Sequence, residues 1–184
     1  MSSDRISVSD IVCEFFEVIV HSILHARKLY PETIFSTKRK YGVAVYQSVH
    51  PDINEYINQS LKAVHFHAKN NHLKKFFCKY VFDVVNIVNF VESDPFLVEL
   101  ERSLRDFIVK LHTTQNYLDD LPDETSFSVR IETTAYSSLE FNQEAEFEDF
   151  PWIELDSDEI CDSSADIVPL HTVKCPFLTL QIDK

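Results

Sequence analysis

Clustered histidines are the side chains in this sequence whose spacing most directly suggests chemistry. His21 and His25 stand four positions apart on a predicted helix, which can bring two imidazoles to one metal ion. His65, His67 and His72 form a second group. The HExxH pattern is absent because residue 22 is Ser, and no third ligand is evident beside the first pair. Structural histidines are therefore the favoured interpretation, with a metal-dependent hydrolase as an alternative.

The acidic run at Glu144, Glu146, Glu148 and Asp149 offers carboxylates for a divalent cation. It lacks the turn glycine and the ordered oxygen ligands of such sites, so a solvated acidic loop is favoured. Gly42 is the one glycine of 184 residues. Dinucleotide-binding loops, phosphate-binding loops and nucleophile elbows all need several glycines, so the sequence argues against nucleotide enzymes. We expect neither catalysis nor a cofactor.

Charge is distributed unevenly along the chain. Residues 1–118 carry 14 Lys and Arg against 13 Asp and Glu, whereas residues 119–184 carry 3 against 17. Because phosphate would repel the last third, we expect no direct binding to nucleic acid. We expect no membrane association, since no secretory signal and no run of about 18 apolar residues occurs. The four cysteines share no CxxC spacing, which favours free thiols in a reducing compartment.

Three helices are predicted. The first spans 9–29, capped by Ser9 or Asp10, and apolar residues cover most of its circumference, which is typical of a central helix. The second spans 51–65, opened by a proline, with apolar residues at intervals of three and four. The third runs from a Ser-Asp-Pro start to about residue 112.

The remaining segments favour β-structure. Residues 32–49 read as a loop with one short strand, and residues 73–91 read as strands. Alternating apolar residues predict a strand at 127–131, and two further strands are predicted at 167–173 and 177–182. Helices and separate strand groups together predict an α+β fold, with helices on one face of an antiparallel sheet.

Trp152 stands out in the weakly patterned segment after residue 133. It is the only tryptophan and lies in an apolar stretch, 147–155, surrounded by acidic residues. Large aromatic side chains dominate binding hot spots, so Trp152 is a candidate wall of a peptide-binding groove. The alternative is that it only attaches a loop to the core.

Several longer strings are specific enough to indicate a family. They are CEFFEV at 13–18, LYP at 29–31, LRDFIVK at 104–110 and DFPWI at 149–153. In this order along the chain they resemble the HORMA-domain family. The resemblance implies one domain over 1–184, with a core of three helices and a sheet at about 9–133. It also implies a "safety belt" at about 134–184, which wraps around an extended peptide of a partner.

The function implied by the resemblance is that of a non-catalytic adaptor in the nucleus. The implied partner peptide contains proline and comes from the catalytic subunit of DNA polymerase zeta, which acts in translesion synthesis. Further implied partners are the C-terminal domain of the Rev-one scaffold, a second HORMA protein and an AAA+ remodelling ATPase. The alternative within the family is a spindle-checkpoint regulator of the anaphase-promoting complex.

The resemblance also implies which residues bind each partner. The peptide-binding positions are Tyr56, Trp152, Tyr30 and Pro151. The Rev-one positions are Ile167, Leu170 and Gln181. The positions for dimerisation with a second HORMA protein are Arg105 and Lys110.

Overall fold

The computed structural model shows three α-helices and two antiparallel sheets within the residues it describes. Those residues are 7–78, 81–87, 94–115, 121–122, 125–134, 147, 150, 152–155, 169–175 and 178–183. Among them, no helix has the length and the hydropathy needed to cross a bilayer.

Helix α1 spans Val8–Ala26 and begins with a capping box. The Ser7 side chain accepts from the Asp10 backbone N–H at 3.2 Å, and the Ser7 N–H donates to the Asp10 carboxylate at 2.8 Å. The predicted cap at Ser9 or Asp10 is therefore wrong, because Ser9 is buried inside the first turn. The helix ends before the predicted residue 29, and Lys28 adopts a positive φ of 53° just after it.

A β-hairpin follows α1 where one short strand was predicted. After a short 3₁₀ turn at Glu32–Ile34, strand β1 (Phe35–Lys40) pairs with strand β2 (Val43–Ser48). The turn between them is Tyr41-Gly42, with positive φ values of 51° and 76°. Two successive left-handed residues match the tight turns that join hairpin strands, so the sole glycine serves chain reversal.

Helix α2 spans Pro51–Lys69, four residues beyond the predicted end, and helix α3 spans Asp94–Gln115. Proline at the first position of α2 leaves no helical hydrogen bond unmade there. The apolar residues of α2 that are buried at intervals of three and four are Ile53, Ile57, Leu61 and Val64. This spacing confirms the face from which the helix was predicted.

The main sheet has five antiparallel strands in the order β5-β3-β4-β7-β6. The strands are β3 (Leu73–Phe77), β4 (Val81–Ile87), β5 (Arg130–Thr133), β6 (Pro169–Cys175) and β7 (Leu178–Asp183). The strand predicted from residue 127 thus begins at 130. The C-terminal hairpin joins the sheet through β7, which pairs with β4, so β5 and β6 form the two edges.

Phenylalanine rings hold helix α1 against the sheet. The Phe16 ring lies nearly parallel to that of Phe76 on β3, with centroids 4.2 Å apart. Phe15 meets Phe107 of α3 edge-on at 5.8 Å, and Phe82 of β4 contacts both helices. All five rings are fully buried. The predicted α+β class and the central position of the first helix are confirmed.

Candidate functional site

Tyr56 and Trp152, 96 positions apart in the chain, are linked in space by Phe150. The Tyr56 ring lies edge-on to Phe150 at a centroid distance of 5.8 Å, and Phe150 lies edge-on to Trp152 at 6.1 Å. Helix α2 positions Tyr56 beside its buried face, where the side chain stays half-buried. The two residues singled out from the sequence therefore belong to one cluster.

Phe127 extends this cluster to Tyr30. Its ring meets Tyr56 at 5.3 Å and Tyr30 at 6.3 Å, both nearly perpendicular. The five half-buried rings, here called the aromatic row, are Tyr30, Phe127, Tyr56, Phe150 and Trp152. Each perpendicular pair contributes about 0.5–1.5 kcal/mol beyond its buried area. Contact between rings that remain partly exposed suits a surface that can receive a further apolar or proline-rich chain.

The aromatic row lies beside strand β5, an edge of the main sheet. The Tyr56 hydroxyl accepts from the Val129 backbone N–H at 3.1 Å, immediately before the strand begins. Among the described residues, β5 pairs with β3 alone. An edge strand presents backbone donors and acceptors that an added strand can pair with.

The described part of the acidic segment packs on α2. Phe147 is buried against Ala63 and lies 5.7 Å from the Phe66 ring. Trp152 is half-buried, and its indole Nε1 is inaccessible to solvent with no hydrogen-bond acceptor in the described structure. Ile153, next in the chain, is 83% exposed. Aromatic side chains thus attach this segment to the helix that carries Tyr56.

Pro151 and Ile167 lie outside the described residues. Leu170 belongs to β6, and Gln181 is an exposed residue of β7 that pairs in register with Asp83 and Thr172. The predicted Rev-one positions Leu170 and Gln181 therefore lie on adjacent strands of the C-terminal hairpin.

Arg105 and Lys110 contact different parts of the chain. The Arg105 guanidinium lies over the β1–β2 turn, 3.7 Å from the place that a Cβ on Gly42 would take. The Lys110 ammonium lies 3.2 Å from Nδ1 of His171 on β6. Five residues apart on a helix, they point about 140° away from each other.

The histidines occupy packed positions. His21 is buried and accepts from the Ser48 N–H at 3.3 Å, and burial lowers its pKa to about 4. His25 stacks on Tyr46 at 3.5 Å. Burial, aided by the neighbouring His72, also lowers the pKa of His67 to about 4. Among the described residues, no three His, Cys, Asp or Glu side chains converge to hold a metal ion.

Cys13 is a free, partly buried thiol packed against the core. Burial raises the pKa of its thiol to about 12, so the thiolate is scarcely populated at neutral pH. The edge strand and the aromatic contacts of the described residues are features that suit peptide binding.

Sequence reasoning missed Phe127 and Phe150 as members of the site. Phe127 was assigned only to the apolar side of a strand, and Phe150 only to the string around Trp152. Both join the row through tertiary contacts to Tyr56. The available signals were the aromatic content of 12% and the position of Phe150 two residues from Trp152, and neither specifies a tertiary contact.

Curated relatives decide the family. No family model matches the chain. Human "Mitotic spindle assembly checkpoint protein MAD2B" is 32% identical over 187 residues, covering 95% of this chain and 89% of that protein. The chain belongs to the MAD2B family of HORMA-domain proteins. The Drosophila melanogaster protein named "DNA polymerase zeta subunit 2" is 25% identical over 191 residues, covering 95% of this chain and 94% of that protein.

Solved structures agree with the fold of the MAD2B family. A chain of the mitotic checkpoint complex matches with a TM-score of 0.78 and 22% identity, covering 95% of this chain and 96% of that one. HTP-2 of C. elegans, solved bound to a HIM-3 closure motif, matches with a TM-score of 0.69 and 12% identity, covering 95% of this chain and 88% of that one. The homologues are non-catalytic adaptor and checkpoint proteins, so this MAD2B-family chain is an adaptor and not an enzyme.

Proposed function

We propose that this adaptor holds an extended, proline-containing peptide of the catalytic subunit of DNA polymerase zeta against β5, beneath the safety belt (134–184). The edge position of β5, with the aromatic row beside it, is the observation that carries the proposal. Backbone groups of β5 would bind the peptide without regard to its sequence. The aromatic row would select proline and apolar side chains.

The names of two relatives support the polymerase as the partner. The fly relative is called subunit 2 of DNA polymerase zeta, and a fission-yeast relative, 46% identical over 54 residues, is called its processivity subunit. The HTP-2 structure contains a bound closure motif, which supports peptide capture as the mode of binding on this fold. Tyr56, Trp152, Tyr30 and Pro151 are the proposed contacts.

Further contacts belong to the same proposal. Ile167, Leu170 and Gln181 would bind the Rev-one C-terminal domain, and Arg105 and Lys110 would bind a second HORMA protein. An AAA+ ATPase would remodel the belt to release the peptide. These activities would require the adaptor to be in the nucleus.

Co-expression with a fragment of the polymerase catalytic subunit tests the proposal. We expect a complex that survives gel filtration, and an affinity about thirtyfold lower for Trp152→Ala, since a hot-spot aromatic contributes about 2 kcal/mol. Ile153→Ala is the matched control, because this neighbouring side chain is 83% exposed. If no complex forms, or if the two variants bind equally, the proposed function is wrong.

Regulation of the anaphase-promoting complex in the spindle checkpoint is the second candidate. The checkpoint names of the human relative and of the matching complex favour it. Affinity purification from cells distinguishes the two candidates. Recovery of the polymerase catalytic subunit supports the first, and recovery of anaphase-promoting-complex subunits supports the second.

A further inference from the structure

The backbone amides of β5 alternate between the two sides of the strand. The Thr134 N–H donates to the His72 carbonyl at 2.9 Å, so this amide points toward β3. Backbone groups of a strand reverse direction at every residue. The irregularity in the β3–β5 pairing adds a residue to β3 between Leu73 and Lys75, and β5 keeps its alternation. The N–H groups of residues 130 and 132 therefore point toward β3, and those of Ile131 and Thr133 point outward.

The Val129 N–H has the same direction as those of Ile131 and Thr133, and its acceptor is known. It donates to the Tyr56 hydroxyl at 3.1 Å. The first outward donor of this edge is thus bound by a side chain from α2. The next two outward positions have no strand beside them among the described residues.

We infer that the Tyr56 hydroxyl sets the register of the bound peptide, by ending the pairable edge of β5 at Ile131. This inference rests on the proposed function. A peptide strand would form its backbone hydrogen bonds with Ile131 and Thr133. It would form none with the Val129 N–H, which the Tyr56 hydroxyl already binds. The Tyr56 hydroxyl therefore determines the register of the peptide, and the Tyr56 ring contacts the peptide side chains.

This register determines where the peptide can carry proline. In either strand direction, alternate peptide residues must donate an N–H to the Ile131 and Thr133 carbonyls, and proline has no N–H to donate. Proline is tolerated at the intervening position and beyond Ile131 on the side of Tyr56, where the Tyr56 hydroxyl already binds the Val129 N–H and interrupts the backbone pairing. That end lies beside the Tyr56 and Phe127 rings, which offer proline an apolar contact.

Amide hydrogen exchange measured residue by residue by NMR tests the register. In the free protein we expect a slowly exchanging Val129 amide and rapidly exchanging Ile131 and Thr133 amides. Tyr56→Phe should accelerate exchange at Val129 at least tenfold, and exchange at residue 132, whose amide points toward β3, by no more than the roughly fivefold expected from the general loss of stability. Slow exchange at Ile131 and Thr133, or an unchanged Val129 amide in the variant, would overturn the inference without any peptide being present.

A second experiment adds the polymerase fragment to the protein. Its addition should protect Ile131 and Thr133, and a proline scan should find two fragment positions, two residues apart, where proline weakens binding about tenfold or more. A bound fragment that leaves both amides unprotected, or that tolerates proline at every position, overturns the register. A fragment that does not bind overturns the proposed function, and the free-protein exchange pattern then still decides the role of the Tyr56 hydroxyl.

Discussion

The contact between Tyr56 and Phe127 is the centre of the aromatic row, and a double-mutant cycle measures it. The two rings are 5.3 Å apart and nearly perpendicular. A ring pair of this geometry contributes about 0.5–1.5 kcal/mol beyond burial. We therefore expect Tyr56→Leu and Phe127→Leu to couple by about 1 kcal/mol in the free energy of unfolding.

Tyr56→Leu alone should cost more than the coupling energy. It also removes the hydroxyl that accepts from Val129, and a hydrogen bond of this kind contributes about 1 kcal/mol. Tyr56→Phe separates the two effects, because it removes the hydroxyl and keeps the ring. We expect it to lower the free energy of unfolding by about 1 kcal/mol.

The assay is urea denaturation followed by tryptophan fluorescence and circular dichroism. Variants are compared where the unfolding free energy depends on urea concentration with the same slope. The matched control is a cycle between Phe127→Leu and Tyr46→Leu, because Tyr46 stacks on His25 and has no described ring contact with the row. For residues that do not touch, the effects of two substitutions on the free energy of unfolding add to within about 0.3–0.5 kcal/mol. Equal coupling in the two cycles would refute the aromatic row as a connected unit.

Three further predictions concern the body of the fold. Burial holds the pKa of His21 near 4, below its ordinary 6.5, so its contribution to stability should be constant above pH 6.5 and fall by up to about 3 kcal/mol as pH drops to 4. Because His67 has a similarly lowered pKa and adds a loss of the same sign, His21→Asn should reduce the pH dependence in urea melts without abolishing it. Gly42→Ala should cost about 1 kcal/mol in the same assay, since φ is 76°, whereas Gly42→Asn should cost less. Ser7→Ala should lower the thermal midpoint by removing about 1 kcal/mol of capping, and Ser126→Ala, at an exposed position before β5, should not.

The helices were predictable because their signals are local. Proline at position 51 and apolar residues at intervals of three and four indicate α2 without knowledge of any tertiary contact. The cap of α1 was misplaced because serines at positions 7 and 9 are equivalent in sequence. Packing decides between them, since it buries Ser9 and leaves Ser7 to bond with Asp10.

Local sequence patterns do not predict the first hairpin or the full aromatic row. Residues 32–49 are predicted as a loop with one short strand, yet backbone pairing with β2 makes the exposed Lys38, Arg39 and Lys40 part of a second strand. The turn at Tyr41-Gly42 was detectable in principle, because a lone glycine between two β-like runs marks a reversal. Phe127 and Phe150 meet only through Tyr56, and contacts between distant segments leave no periodicity in one sequence.

The structure of the adaptor bound to the polymerase fragment tests the central claim most directly. The account predicts a strand of the fragment paired with Ile131 and Thr133 of β5, proline against the aromatic row, and residues of the 134–168 segment crossing over it. A fragment bound at another surface, with the outer edge of β5 unoccupied and no part of the chain crossing over the fragment, would contradict it.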